Sequence, residues 1–251
     1  MSGLLKKLIF YALLGLIWEA ASRSGFWPSS LFPSPEAVGL TFLHGFRDGT
    51  LLLGAQGSLQ RIALGYSISL VLGIGLGLLL SHFKVLGETA GSLLLGLQSL
   101  PGICWLPIAV LWFGFSEAAI QFVVVMGSFV AIAIATERGV KEISPVYLRA
   151  AQTMGVQGVG LYLRVIFPAA LPSTVTGMRL GWSLAWRTLM SGELIYATAG
   201  LWQLLQQGRE ASDIARLVAV LFLIAGIGIL VDQLMLAPLE KRVRQQWGLV
   251  V

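Results

Sequence analysis

Six long apolar segments constrain the fold of this 251-residue chain more than any other feature. Their apolar runs are continuous and do not alternate at every second residue, which favours membrane helices over membrane strands. The chain is only 12% charged, whereas soluble domains carry about a quarter charged residues. We therefore predict an all-α polytopic membrane protein with one domain over 1–251. Its six predicted spans lie at about 5–22, 58–81, 88–113, 117–137, 170–195 and 214–237.

The distribution of Lys and Arg between the loops predicts how the spans are oriented. With the N-terminus inside, the cytoplasmic segments hold Lys6, Lys7, Lys84, Arg138, Lys141, Arg149, Arg164, Lys241, Arg242 and Arg244. The outer segments and helix ends hold Arg23, Arg47, Arg61, Arg209 and Arg216. This bias predicts that both termini are cytoplasmic, as an even number of spans requires. It also accounts for the basic balance of the chain without any nucleic-acid binding.

The first apolar segment could also be interpreted as a secretory signal peptide. Lys6 and Lys7 precede it, and Ala-Ala-Ser at 20–22 would serve as a cleavage site. Because the remainder of the chain has the pattern of a membrane protein, we favour an uncleaved first span.

A short helix is predicted in the outer segment 23–57. Ser34 followed by Pro35 is typical of a helix start, and apolar residues follow at Val38, Phe42 and Phe46. This amphipathic helix would lie in the membrane interface or contact a partner outside the cell.

A polar, glycine-punctuated segment at 144–168 separates the fourth and fifth spans. Ser144 followed by Pro145 again indicates a helix start. The helix would carry on one face Tyr147, Ala150, Ala151 and Met154. Gly155 stands where a left-handed C-cap is expected, and a second short helix with Val159 on its surface would end at Pro168. Such a helix pair is suited to docking onto a partner outside the membrane.

This segment resembles the Glu-Ala-Ala loop of bacterial ABC importer permeases. Ala150 and Ala151, then Gly155, then Ile-Phe-Pro at 166–168 follow the pattern of that loop. Arg149 stands where the family has Glu, and Phe167 stands where it has Leu. Further matches resemble the nitrate, sulfonate, taurine and bicarbonate branch; they lie at 58–61, 106–107, 112–114 and 168–172.

The resemblance implies the membrane subunit of a type I importer in the inner (plasma) membrane of a bacterium, surrounded by lipid. It implies a second permease copy or a close relative, two ATP-binding subunits and an external or periplasmic solute-binding protein. In that family the loop at 144–168 is the cytoplasmic coupling helix that sits in a groove of the ATPase. Its expected coupling residues are Tyr147, Arg149, Ala150, Ala151, Met154, Gly155, Val159 and Pro168.

No catalytic, nucleotide or metal site is predicted in this chain. Gly73, Gly75 and Gly77 lack the Lys-Ser/Thr of a P-loop and the strand of a dinucleotide-binding turn. Their spacing instead predicts close helix packing. Cys104 is the single cysteine, which excludes a disulfide framework and a cysteine-rich metal site, and we expect a packed thiol. ATP and Mg²⁺ would therefore be bound by a partner, and the chain itself would not be an enzyme.

The third span is interrupted near its middle. Gln98, Ser99 and Pro101 break the apolar pattern, and a proline inside a span frees backbone groups that must be buried in protein or face water. We expect this break to line a solute path, although a purely structural kink would have the same pattern.

The fifth span carries residues that are costly inside a membrane. Arg179, Ser183, Arg187 and Ser191 recur at every fourth position, and Glu193 follows near the end of the span. Ser183, Arg187, Ser191 and Glu193 are therefore candidates for the path, with Arg187 as the group that meets an anion. Arg179 would snorkel towards the cytoplasm. An ion pair of Arg187 with Glu19 or Asp232 is the structural alternative.

Together these patterns predict a permease subunit that forms the path for a small anion such as nitrate, bicarbonate, taurine or another sulfonate. The alternative is a stand-alone secondary transporter or channel. That class needs ion-coupling carboxylates deep in the bundle and often has inverted repeats. Its candidate carboxylates are Glu19, Glu193 and Asp232, and no repeat is visible.

Overall fold

The computed structural model describes residues 3–195 and 199–249, and helices make up nearly all of these two ranges, with no strand in either. The α-helices are α1 (Gly3–Arg23), α2 (Pro35–Arg47), α3 (Thr50–His82), α4 (Lys84–Gln98), α5 (Leu106–Phe113), α6 (Glu117–Lys141), α7 (Pro145–Thr153), α8 (Gly158–Leu161), α9 (Phe167–Gly192), α10 (Leu201–Glu210), α11 (Ile214–Val231) and α12 (Ala237–Gln246). A 3₁₀ turn precedes α5 at Gly102–Trp105. Two π-helical turns, Tyr162–Ile166 and Asp232–Leu236, join α8 to α9 and α11 to α12.

Four uninterrupted helical runs in the described ranges are long and apolar enough to cross a membrane. They are Thr50–His82, Glu117–Lys141, Gly158–Gly192 and Ile214–Gln246. They contain the predicted second, fourth and sixth spans, and the predicted fifth span except for its last three residues. The all-α prediction is confirmed. Helix α1 forms where the first span was predicted, but its charge-free part, residues 8–18, covers only about 16 Å at 1.5 Å per residue. The six-span count and the N-in, C-in orientation therefore stay predictions.

The predicted third span is broken, as the sequence indicates. Helices α4 and α5 meet at an angle of 105° across residues 99–101 and the 3₁₀ turn. Pro101 has no N–H to continue α4 and fixes its own φ, which accounts for the stop. The pair counts as a fifth candidate span if it crosses the membrane as one broken element, and otherwise it forms a re-entrant loop.

Two compact units are distinguished by their internal contacts: residues 3–58 with 199–227, and residues 59–195 with 228–249. Helices α3 and α11 run from one unit into the other without a break. The single-domain prediction over 1–251 is not tested by this division.

The larger unit is built on α6 and α9, with α3 against α6. Glycines permit this close packing: a Cβ at Gly77 would lie 2.5 Å from the carbonyl oxygen of Ala133. A Cβ at Gly177 would lie 2.2 Å from the Cβ of Ala135. Gly75 has no heavy atom within 4 Å of its Cβ position, so the packing explanation holds for Gly77 but not for Gly75. The result is a closely packed pair of helices, and α9 of this pair carries Arg187.

The smaller unit contains the predicted outer helix. Ser34 caps α2 by accepting a hydrogen bond from the N–H of Ala37 at 3.2 Å, as its position before Pro35 predicts. The indole of Trp18 donates to the carbonyl of Pro33 at 3.0 Å, which ties α1 to the loop before α2. The hydroxyl of Ser58 accepts from the N–H of Leu201 at 2.9 Å and so fixes the start of α10.

Two local predictions are wrong. Pro168 does not end a helix, because a π-turn precedes it and the helical run continues from Gly158 to Gly192. A π-turn changes the phase of the backbone hydrogen bonds and can accommodate the missing N–H of proline. Cys104 is exposed and not packed; it lies on the 3₁₀ turn Gly102–Trp105, in which no residue is buried.

Candidate functional site

A cavity of about 370 Å³, hereafter the central cavity, lies where the break between α4 and α5 meets α6 and α9. Its lining includes Gln98, Ser99 and Pro101 from the break and Arg187 from α9. The structure thus brings together four residues that the sequence singled out separately. Gly102 holds the break in place, because a Cβ there would lie 2.1 Å from the methyl group of Thr188 on α9.

Arg187 is exposed and forms no ion pair with any residue in 3–195 or 199–249. The predicted structural partners are engaged elsewhere: Glu19 pairs with Arg23 and Asp232 pairs with Arg179. The ion-pair alternative for Arg187 is therefore wrong for both of the partners considered. A guanidinium that lines a cavity and retains its donors can bind an anion.

The other path candidates lie outside the lining of the central cavity. Ser183 is exposed on α9, and Ser191 is partly buried one turn beyond Arg187. Glu193 is buried, with a side chain 2% exposed, and it accepts a hydrogen bond from Arg61. Its carboxylate holds helices together in this structure and does not line the central cavity.

Arg61 forms a buried ion cluster that the sequence pattern did not reveal. Its guanidinium donates to both carboxylate oxygens of Glu117, at 2.8 and 2.9 Å, and to Glu193 at 3.0 Å. The side chains of Arg61 and Glu193 are 10% and 2% exposed, whereas that of Glu117 is 51% exposed, so the Arg61–Glu193 pair is the part withdrawn from water. It joins α3 to the start of α6 and the end of α9. The sequence signal for this cluster is the charge of Arg61 inside an apolar run. That signal does not identify the partners, which lie 56 and 132 residues away along the chain.

Arg179 is held in an ion-pair network that the sequence did not predict. It makes two hydrogen bonds to Asp232, at 2.6 and 2.7 Å, and one to Glu240 at 3.0 Å. Glu240 also accepts from the hydroxyl of Thr176 at 2.7 Å. This network attaches α12 to α9, so the C-terminal helix is part of the larger unit.

Helix α7 has the caps that its sequence predicts. Ser144 accepts from the N–H of Val146, and Gly155 adopts φ +80° after the last turn. The N–H of Gly155 bonds to the carbonyl of Gln152, and that of Val156 bonds to Ala151, both at 3.0 Å. These two bonds form a Schellman motif, and only glycine adopts its positive φ without strain.

An exposed apolar face accompanies α7, as predicted. Met154 is 76% exposed and Val159 75% exposed, and Tyr147, Arg149 and Ala150 are also exposed. Ala151 is only 2% exposed, so it packs within the chain and does not belong to this exposed face. Pro168 is partly buried.

Within 3–195 and 199–249, no group of three or more His, Cys, Asp and Glu residues is placed to hold a metal ion.

Comparisons with a family model, with related sequences and with solved structures agree with one another. Residues 69–245 match the family model described as binding-protein-dependent transport system inner membrane component. The chain is 31% identical to the taurine transport system permease protein TauC of Escherichia coli (strain K12), over 94% of this chain and 87% of that protein. It is 26% identical to the bicarbonate transport system permease protein CmpB of Synechocystis sp., over 89% of this chain and 84% of that protein.

A solved structure has the same fold. An inward-facing form of the MetNI methionine ABC transporter matches with a TM-score of 0.66 and 21% identity. The match covers 77% of this chain and 96% of that chain. At this identity the likeness concerns the fold alone, whereas the family model spans well over half of the sequence. The chain therefore belongs to the family of binding-protein-dependent transport system inner membrane components, the permeases of ABC transporters.

Proposed function

We propose that this chain forms the translocation path of an ABC importer for a small oxyanion of the sulfonate, taurine or bicarbonate type. ATP hydrolysis in a partner subunit would drive transport, and this chain would supply the path and the gate. The substrate class is supported by relatives that are named as taurine and bicarbonate permeases and that align over nearly the whole chain.

The central cavity is the observation that carries this proposal. A single guanidinium, Arg187, lines it together with the amide of Gln98 and the hydroxyl of Ser99. A cation that has no fixed carboxylate partner among the described residues lowers the barrier for an anion in a low-dielectric surrounding. Amide and hydroxyl groups supply hydrogen-bond donors to oxyanion oxygens without adding fixed charge.

Coupling to the ATPase would go through α7. Its exposed face, with Tyr147, Ala150, Met154 and Val159, is suited to a groove in an ATP-binding subunit on the cytoplasmic side. The proposed assembly contains two permease copies, two ATP-binding subunits that hold ATP and Mg²⁺, and a periplasmic solute-binding protein. It would reside in the bacterial inner membrane.

Arg187→Met is expected to lower ATP-driven anion uptake at least about tenfold, because a charge-assisted hydrogen bond to the passing anion is lost. The measurement is uptake of radiolabelled taurine and bicarbonate into proteoliposomes that contain the assembled transporter and its binding protein. Arg187→Lys should retain part of the uptake, because the charge remains and only the planar fork is lost.

Arg209→Met is the matched control, because Arg209 is exposed and does not line the central cavity. Its uptake should equal that of the unmodified chain. Basal ATPase activity and assembly should be unchanged in all three variants. Normal anion uptake by Arg187→Met would exclude the proposed role of Arg187.

A further inference from the structure

A second cavity, of about 480 Å³, adjoins the central cavity in the larger unit. We call it the basic cavity; the residues that define it are Gln98, Arg138, Glu142, Ser173, Thr176 and Arg244. Gln98 and Ala131 line both cavities. The two cavities are therefore neighbours, with the side chain of Gln98 in the lining of both.

Two arginines give the basic cavity its charge. Arg138 lies in the last turn of α6 and forms no ion pair within the described ranges. Arg244 of α12 touches Glu240 at 3.4 Å, a long distance for a charge-assisted bond. Glu240 is already held by Arg179 at 3.0 Å and by Thr176 at 2.7 Å. Most of the five N–H donors of each guanidinium thus remain available.

The remaining polar groups also suit a weakly bound anion. The hydroxyl of Ser173 makes no hydrogen bond to another residue in the described part of the chain, so it can donate to a ligand. Glu142 also lines the cavity, and its carboxylate opposes an anion. Among the described residues that line the cavity, two guanidinium groups stand against one carboxylate, so their charges sum to plus one. A path needs sites of this kind, which are favourable enough to enter and weak enough to leave.

We propose that the basic cavity is a second anion subsite on the same path, with Arg138 and Arg244 as the groups that bind a sulfonate or carboxylate head. The inference rests on the proposed function, because it assigns the step that follows Arg187. It gives α12 a role in transport, since that helix supplies Arg244. The Arg179 network that attaches α12 to α9 positions this arginine.

The test measures binding of ethanesulfonate to the detergent-solubilised transporter without nucleotide, by saturation-transfer difference NMR, which detects weak ligands. Arg138→Gln and Arg244→Gln should each raise the dissociation constant about tenfold, the loss expected for one charged hydrogen-bond partner. Arg242→Gln changes a neighbouring exposed arginine of α12 that does not line the cavity, and it should bind normally. These substitutions are made in the Arg187→Met background, so that binding at Arg187 does not contribute and the ethanesulfonate binding that remains reports the basic cavity.

Unchanged ethanesulfonate binding in both Arg138→Gln and Arg244→Gln would overturn the subsite, as would loss of all binding in Arg187→Met. Should Arg244→Gln loosen α12, Arg138→Gln still decides, because Arg138 has no bond to α12 among the described residues. The unmodified transporter is assayed for taurine uptake in parallel. If the unmodified transporter takes up taurine but both variants bind ethanesulfonate as before, only the subsite is contradicted. If the variants bind ethanesulfonate more weakly but the unmodified transporter takes up no taurine, only the proposed function is contradicted.

Discussion

Arg61→Met is expected to lower the free energy of unfolding of this protein by about 3–5 kcal/mol, the usual cost of breaking a buried ion pair. The substitution deprives Glu193, whose side chain is 2% exposed, of the guanidinium that bonds to it at 3.0 Å. Glu117 is half-exposed and can be hydrated, so it contributes less to the loss. Unfolding of the purified chain in mixed micelles, titrated with SDS, measures the change.

The double variant Arg61→Met with Glu193→Met shows why stability is lost. It distinguishes the cost of a buried carboxylate that has lost the guanidinium of Arg61 from the cost of the lost contacts themselves. Replacing both buried partners by apolar side chains is often neutral, so the double variant should recover most of the lost stability. Glu117→Gln should cost less than Arg61→Met, because its carboxylate is already partly in water. If Arg61→Met is as stable as the unmodified chain, or the double variant is no better than the single one, the cluster does not hold α3, α6 and α9 together.

Gly155→Val is expected to reduce ATP-driven solute uptake at least about tenfold while the permease still inserts and assembles. Gly155 has φ +80° at the end of α7, a conformation that costs a residue with a Cβ roughly 1–2 kcal/mol and a β-branched residue more. The strain should displace the Schellman cap and tilt the exposed face of α7. Parallel assays of ATPase activity and uptake in proteoliposomes measure the coupling.

Two substitutions control for this effect. Gly155→Asn should retain most coupling, because Asn tolerates the left-handed conformation. Gly160→Ala lies in the same segment without positive φ, and its Cβ would be 3.8 Å from the nearest side-chain atom; it should transport normally. If Gly155→Val shows ATP-driven solute uptake at the normal level, the proposed coupling role of α7 is wrong. Ala151→Trp is a poorer test, since Ala151 is buried and a large side chain would disrupt packing in the chain itself.

Local features of this structure could be predicted from the sequence because their causes are local. Ser144, Pro145 and Gly155 determine where α7 begins and ends through hydrogen bonds that span two to five residues. Long apolar runs predict helices for the same reason, since their pattern reports burial along one element. Pro101 predicts the break after α4, because proline removes a backbone donor whatever surrounds it.

Long-range contacts could not be predicted in this way. Arg179 bonds to Asp232 and Arg61 to Glu193, across 53 and 132 residues, and no periodicity in one helix selects a partner in another. From the sequence alone, Glu19 and Asp232 are equal candidates to pair with Arg187. The burial of Ala151 and the continuation of the helix through Pro168 depend on tertiary packing and on a π-turn. The sequence could identify candidate residues for the site. Only the three-dimensional structure shows which of these residues line the same cavity.

We propose that this chain moves solute only as part of an ATP-driven assembly. The most direct measurement is uptake of taurine and bicarbonate into proteoliposomes, with the chain alone and with its ATP-binding subunits and solute-binding protein. We expect two permease copies to purify with two ATP-binding subunits, and uptake of at least one of the two anions to require internal ATP and both kinds of partner. Uptake by the purified chain alone, without ATP, would contradict this account and favour a stand-alone transporter or channel.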